Sequence, residues 1–241
     1  MVGSSSATAS GPVSSLRSAH YHVLLLSLAA LLLVAPIAQQ FPRGRDVVNA
    51  LFLATLVFGA LVGRRSRLVR RLRVGVAAFT ALLMAMTYVV DHGAVAVARD
   101  VLLFGFLIFI LVGILRDVFE ARQVEAGLLS GAVSGYVLLG VAWAIAYALV
   151  EAFDPDAFAG AGAPPVGEGA ASSSRAGTFL YHSFVTLTTL GYGDVTPRSG
   201  AARSLSILEA LVGQFYIATL IAALVGTMIA QRTSGRGDRE D

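Results

Sequence analysis

The sequence predicts an all-α integral membrane protein with six spanning helices and a short, non-spanning helix between the last two. Three observations predict it. Of 241 residues, 56% are hydrophobic and 14% charged, where a soluble domain carries roughly 25% charged residues. Mean hydropathy is +0.74, more apolar mass than one soluble core can hide. The apolar residues also fall in runs close to the ~20 residues a helix needs to cross a hydrocarbon layer. Cysteine is absent, which excludes disulfides, thiolate metal sites and cysteine nucleophiles. His20, His22, His92 and His182 form no HxxxH pair, so no zinc site is expected. No nucleophile–base pair or phosphate-cradling loop stands out, so neither enzymatic activity nor a cofactor is expected.

Residues 1–20 are rich in Ser, Gly and Ala without an apolar period and are expected to be a disordered N-terminus. The runs Tyr21–Gln39, Val47–Gly63, Leu72–Val90 and Ala94–Leu115 make a four-helix peripheral unit that extends, with its linker, over residues 21–127. The first run has features of a signal peptide, but it reaches spanning length and lacks a clean small-x-small cleavage site. Arg99 and Asp100 sit in the first turns of the fourth run, and the charged stretch 116–127 suits a linker at the inner interface. A second unit, residues 128–231, holds the fifth run, Leu129–Val150, and the sixth, Ala201–Gln231. Gly131 and Gly135 give the fifth a small-xxx-small pair for close helix approach. Residues 232–241 read as a short tail with no nucleotide- or calcium-binding domain attached.

Orientation follows from arginine, which supplies all 18 basic residues. Arg64, Arg65, Arg67, Arg70, Arg71 and Arg73 crowd the link between the second and third runs, and such clusters stay cytoplasmic. Arg17, Arg116, Arg122, Arg232, Arg236 and Arg239 then fall on the same side, while Asp46, Asp91, Glu151, Asp154, Asp156 and Glu168 collect on the other. Both termini are expected in the cytosol and the chain in the plasma membrane. A link this short has little reach, so the arginines are expected to set topology in a lipid bilayer rather than to bind nucleic acid.

The connection between the fifth and sixth runs differs from an ordinary loop. Residues 152–176 look flexible and exposed. Gly177–Thr189 is apolar but too short to cross, the length of a re-entrant segment, with a helix expected over 178–188. Thr188-Thr189-Leu190-Gly191-Tyr192-Gly193-Asp194 follows. This stretch resembles the selectivity-filter signature of the tetrameric potassium-channel superfamily. The resemblance covers residues 129–231; the first four helices resemble the six-span bacterial members, without a charged voltage-sensor helix, only in outline. Taken alone, Gly-Tyr-Gly-Asp is an ordinary turn sequence. Its place after Thr-Leu-Thr-Thr and between two spans argues for the filter, because non-helical backbone at membrane depth must be buried or line a water-filled path.

The resemblance implies passive conduction of K+ ions through a homotetramer. The carbonyls of Thr189, Leu190, Gly191 and Tyr192 would bind the ions, with the Thr189 hydroxyl as the innermost ring. Turning successive carbonyls the same way needs alternating backbone handedness, which Gly191 and Gly193 supply without a Cβ penalty. Tyr192 would point away from the axis and brace the short helix, and Asp194 would concentrate cations at the outer mouth. Tyr181, His182, Val185 and Thr188 would support the filter from the short helix. Tyr181 and His182 stand where many relatives carry a Trp pair, Val185 where some carry a buried glutamate, and Leu190 where Val is commoner. These departures bear on filter rigidity. His182 is either a pH sensor or a packing residue.

On the last helix, Gly213 lies 20 residues beyond Gly193, an offset that resembles the superfamily's glycine hinge; close packing is the equal alternative. Gln214, Ile217, Ile221 and Val225 recur on one face and are expected to line an inner cavity and its gate. Glu209 is the acid in the middle of this apolar run. Intramembrane carboxylates are costly and usually paired or functional; it is expected behind the filter, bonded to the short helix. Two other readings remain: a cation channel of relaxed selectivity, and a non-conducting membrane subunit or transporter component. An inverted repeat would mark a transporter, and none is visible. Helix-swapped and unswapped tetramers both fit the chain.

Overall fold

The computed structural model describes residues 12–38, 41, 43–61, 67–86, 93–120, 126–160 and 171–237. In chain order these form α1 (Pro12–Ala38), α2 (Gly44–Leu61), α3 (Arg67–Met86), α4 (Gly93–Phe119), α5 (Ala126–Phe153), β1 (Phe158–Gly160), α6 (Ala171–Leu187), β2 (Val195–Pro197) and α7 (Gly200–Gly237). Expectations for residues 1–11, for Arg64, Arg65, Asp91, His92, Arg122, Glu168 and Arg239, and for the end of the tail lie outside the described residues.

Among the described residues, four helices are long and apolar enough to cross a membrane: Ala19–Ala38 within α1, Gly93–Phe119, Gly127–Phe153 within α5, and Gly200–Ile229 within α7. The protein is a multi-pass membrane protein on that basis. Two of the six expected spans fall short of the same standard. The apolar part of α2 is Asp46–Ala60, and α3 opens with four arginines, at 67, 70, 71 and 73. The expected arginine-rich link is therefore partly helix. Arg73 is buried, with its guanidinium 5.2 Å from the centroid of the Phe109 ring on α4, an arrangement that suits a cation on an aromatic face.

The N-terminal expectation also needs correction, since α1 starts at Pro12 rather than after residue 20. Proline is tolerated in the first helical turn, where its missing N–H has no helical partner to lose. Leu16, Arg17 and Ala19 are good helix formers, so a spanning helix propagates back through them. At the other end, α7 runs to Gly237, past the expected boundary at Gln231.

Helix α5 is the hub. It packs against α1, α4, α6 and α7, and α2 and α3 continue from α1 round to α4. The two expected units thus share a wall. The main core joins Tyr21, Leu24, Leu28 and Leu31 of α1 to Phe106, Leu107 and Ile110 of α4 and to Tyr147 of α5. The two glycines of α5 serve different neighbours. A Cβ on Gly131 would lie 3.1 Å from ring atoms of Tyr21, and one on Gly135 would strike the Tyr216 hydroxyl of α7. That hydroxyl instead donates to the Ala132 carbonyl at 2.6 Å. A cavity of about 220 Å³ opens among α1 to α5 and the middle of α6, with Arg99, Asp100 and Glu151 in its wall.

Candidate functional site

The segment after α6 is tied down at both ends. The link 152–176, expected to be flexible and exposed, contributes β1 to an antiparallel pairing with β2, in the register Phe158–Pro197, Ala159–Thr196 and Gly160–Val195. The Arg198 N–H donates to the Ala157 carbonyl at 2.7 Å. This ladder fixes the C-terminal end of the segment just after Asp194. A Cβ on Gly160 would collide with the Asp194 carbonyl, so glycine is what allows the strands to close. At the N-terminal end the Val185 carbonyl accepts from the N–H of Leu190 at 2.9 Å and of Gly191 at 3.3 Å. Val185 supports the segment through its backbone, which explains why a Val side chain suffices there. Thr188 turns its hydroxyl back to the Phe184 carbonyl at 2.6 Å.

Between these anchors the backbone alternates. Thr189, Gly191 and Gly193 have φ of 61°, 59° and 77°. The two glycines take left-handed φ at no Cβ cost. Thr189 does so as a β-branched residue, an outlier that persists only where its surroundings enforce it. Sequence reading assigned positive φ to the glycines and missed Thr189. Leu190 and Tyr192 are exposed on the single chain, and Tyr192 is 67% exposed. The expected bracing of α6 by Tyr192 is therefore absent within one chain. Tyr181 provides it instead: its hydroxyl donates to Asp194 Oδ2 at 2.6 Å, while Asp194 Oδ1 accepts from the Val195 N–H at 3.0 Å. The Tyr181 hydrogen bond, helped by that N–H, holds the Asp194 carboxyl below its usual range.

Behind the segment, α6 sits on aromatic side chains. His182 lies 5.0 Å from the Tyr147 ring and 5.5 Å from Phe158, centroid to centroid. It is buried, and its Nε2 has no hydrogen-bond partner among the described residues, which is the setting of a packing residue. The Tyr136 hydroxyl of α5 donates to the Leu187 carbonyl at the end of α6, at 3.1 Å. Gly213 of α7 lies under the same turn: a Cβ there would meet Leu187 Cδ1 at 2.6 Å and the Leu187 carbonyl oxygen at 3.3 Å. Close packing accounts for this glycine. Glu209, one turn earlier, is fully buried and bonded to Ser183 of α6 and Tyr147 of α5. Gln214, Ile217, Ile221 and Val225 are all exposed on the single chain, as are Leu211 and Phe215 beside them. Sequence reading missed Tyr136, Tyr147, Ser183 and Tyr216. A tyrosine in an apolar run is a visible signal that a hydroxyl needs a partner, but the partner itself lies elsewhere in the chain.

Residues 135–230, from α5 to α7, match the family model Ion_trans_2, described as an ion channel. Over 50 residues the chain is 40% identical to "Two pore potassium channel c" of Oryza sativa subsp. japonica. That stretch is 21% of this chain and 11% of that protein, so the match spans about a tenth of the curated relative's length. The α5–α7 stretch thus resembles an ion-channel domain, within a multi-pass membrane protein. Its likeness to a potassium channel is confined to a short stretch.

Proposed function

We propose that this chain is one subunit of a homotetramer that conducts K+ passively and selectively across the plasma membrane. One observation carries the reading: left-handed backbone at Thr189, Gly191 and Gly193, alternating through Thr-Leu-Gly-Tyr-Gly between a short helix and a long apolar one. Alternation of that kind turns successive carbonyls to one side, where they replace the water around a K+ ion. The carbonyls of Thr189, Leu190, Gly191 and Tyr192 form the ion sites, and Asp194 gathers cations at the outer mouth.

One chain supplies one strand of such a filter, and a closed ring needs copies about a rotation axis. The superfamily resemblance gives four. The apolar surface of α7 outside the Gln214–Val225 face, exposed on the single chain at Leu208, Leu211 and Phe215, fits contact with those copies. Gln214, Ile217, Ile221 and Val225 line the inner cavity, and the lower ones form a hydrophobic gate. In this reading α6 is re-entrant, and α2 and α3 complete six spans. The 18 residues of α2 rise about 27 Å, close to the ~30 Å hydrocarbon core, and the arginines of α3 mark its cytoplasmic edge. Both termini are then cytoplasmic.

The test is single-channel recording from purified protein in lipid bilayers with K+ on one side and Na+ on the other, alongside native mass measurement. A reversal potential set by K+ and a mass of four chains are expected. A reversal potential near zero would replace this reading with a cation channel of relaxed selectivity. Absence of any current would replace it with a non-conducting subunit.

A further inference from the structure

Three hydrogen-bonding contacts meet at one buried point between α5, α6 and α7. Glu209 of α7 is fully buried. Its Oε2 receives the hydroxyl of Tyr147 on α5. Its Oε1 lies 2.5 Å from Ser183 Oγ on α6. The same Ser183 Oγ lies 2.8 Å from the Gly140 carbonyl of α5.

The protons available to these contacts can be counted. A tyrosine hydroxyl carries one, a serine hydroxyl carries one, a carbonyl carries none, and an ionised carboxylate carries none. An ionised Glu209 would leave two protons for three contacts. Ser183 would then face either Glu209 Oε1 or the Gly140 carbonyl with lone pairs on both oxygens. A protonated Glu209 closes the count. Tyr147 donates to Oε2, Oε1–H donates to Ser183 Oγ, and Ser183 donates to the Gly140 carbonyl.

The surroundings favour the same state. The groups around the carboxyl are the phenols of Tyr147 and Tyr136 on α5, the hydroxyl of Ser206 on α7 and, beyond the Tyr147 ring, His182 on α6. No arginine among the described residues lies within ion-pair distance of Glu209; Arg99 is bonded to Asp100 elsewhere. A buried carboxylate without a countercharge is costly, whereas a buried acid with its hydrogen bonds met is not.

We infer that Glu209 is a neutral carboxylic acid that donates a hydrogen bond to Ser183 and so acts as a positioning residue for the 189–194 segment. The route is short. Ser183 is two residues before Val185, whose carbonyl holds the N–H groups of Leu190 and Gly191. Fixing Ser183 to α5 and α7 at once fixes the end of α6 from which the segment starts. The effect on ion selectivity rests on the function proposed above; the protonation state does not.

The experiment is infrared spectroscopy of the full-length protein in lipid at neutral pH, paired with bilayer recording of the same preparations. A carbonyl band of a protonated carboxylic acid is expected in the wild type and absent in Glu209→Gln. Ser183→Ala should keep the band but shift it to higher frequency, because the acid has lost its acceptor. Glutamine offers an acceptor oxygen to Tyr147 and an N–H to Ser183, with its second N–H to spare, so Glu209→Gln should hold the K+ over Na+ permeability ratio within about threefold, and Glu209→Ala should reduce it about tenfold. A wild-type spectrum without the band, or a band unmoved by Ser183→Ala, overturns the inference. An equal loss of selectivity in the Gln and Ala variants overturns the positioning role. A shifted band in a protein that never discriminates K+ from Na+ would leave the protonated acid standing and remove the function proposed above.

Discussion

Gly191 and Thr189 have nearly the same φ, 59° and 61°, so the segment already tolerates one side chain in the left-handed region. A second one adds to a conformation that costs an L-residue roughly 1–2 kcal/mol. Nothing lies within 4 Å of a Cβ built on Gly191 of the single chain, so the penalty of Gly191→Ala is backbone strain, repeated in each subunit of the proposed tetramer. The expected outcome is an inserted protein with no conduction or no K+/Na+ discrimination, read from reversal potentials; wild-type selectivity in this variant would mean that the segment is not the filter. Asp194 gives a second prediction at this scale. Its carboxyl is held below the usual range chiefly by the Tyr181 hydrogen bond, so it stays charged as external pH falls past the ordinary value of about 3.9. Tyr181→Phe removes that donor and raises the midpoint, so acid should reduce inward current at a higher pH in the variant; coincident titrations would refute the link. The glycines were legible because a demand for left-handed backbone maps directly onto glycine. The Tyr147–Glu209–Ser183 contact was only half legible. A lone acid in an apolar run announces that it needs a partner, but Tyr147 is 62 residues away, and one sequence carries no signal across that distance.

At the scale of elements, glycine decides how closely α5, α6 and α7 approach. A Cβ on Gly140 of α5 would come within 2.6 to 3.0 Å of three ring atoms of Phe184 on α6. A ring wedged between helices has little room to yield, so Gly140→Ala should destabilise the assembly by about 1–3 kcal/mol per chain, the usual cost of overpacking. Gly213→Ala should behave similarly, because its Cβ would meet both the Leu187 side chain and its carbonyl oxygen. Gly226, also on α7, has nothing within 4 Å, and Ala there should be neutral or mildly stabilising through helix propensity. Thermal melting in detergent should rank the three accordingly; a Gly226→Ala loss as large as that of Gly140→Ala would refute the packing account. The long helices were readable from apolar runs because a span must satisfy its backbone internally along a fixed length. Their ends were not: Pro12 and Arg67 each open a helix earlier than hydropathy suggests, since helices propagate beyond their apolar part. The β1–β2 pairing was missed for another reason. Three-residue strands leave almost no periodicity to detect, and their register depends on Gly160 fitting under Asp194.

For the molecule as a whole, the question is whether the α1–α4 half can sense voltage. A charge crossing the full membrane potential contributes about 2.3 kcal/mol per 100 mV, and steep sensors move three to four charges per subunit. Two described arginines bear on this. Arg99 Nε lies 2.8 Å from Asp100 Oδ1, so a movement of α4 carries both charges and transfers almost none. Were Arg99 to cross alone in four subunits, the total would be roughly 9 kcal/mol per 100 mV; the ion pair with the next residue on the same helix prevents that. Arg73 is the charge that reading the sequence as a simple link had set aside. It is buried on α3 over the Phe109 ring of α4, and α3 and α4 pack together. To move across the field it would have to leave both the ring and the helix pair, giving up a contact worth about 2 kcal/mol when desolvated. Open probability in symmetric K+ should therefore vary only weakly with voltage. Arg99→Gln should leave that shallow curve in place, and Arg73→Gln should alter the stability of the α3–α4 pair before it alters the slope. A steep activation curve that Arg73→Gln flattens, in a protein that still melts like the wild type, would show that α3 carries a gating charge.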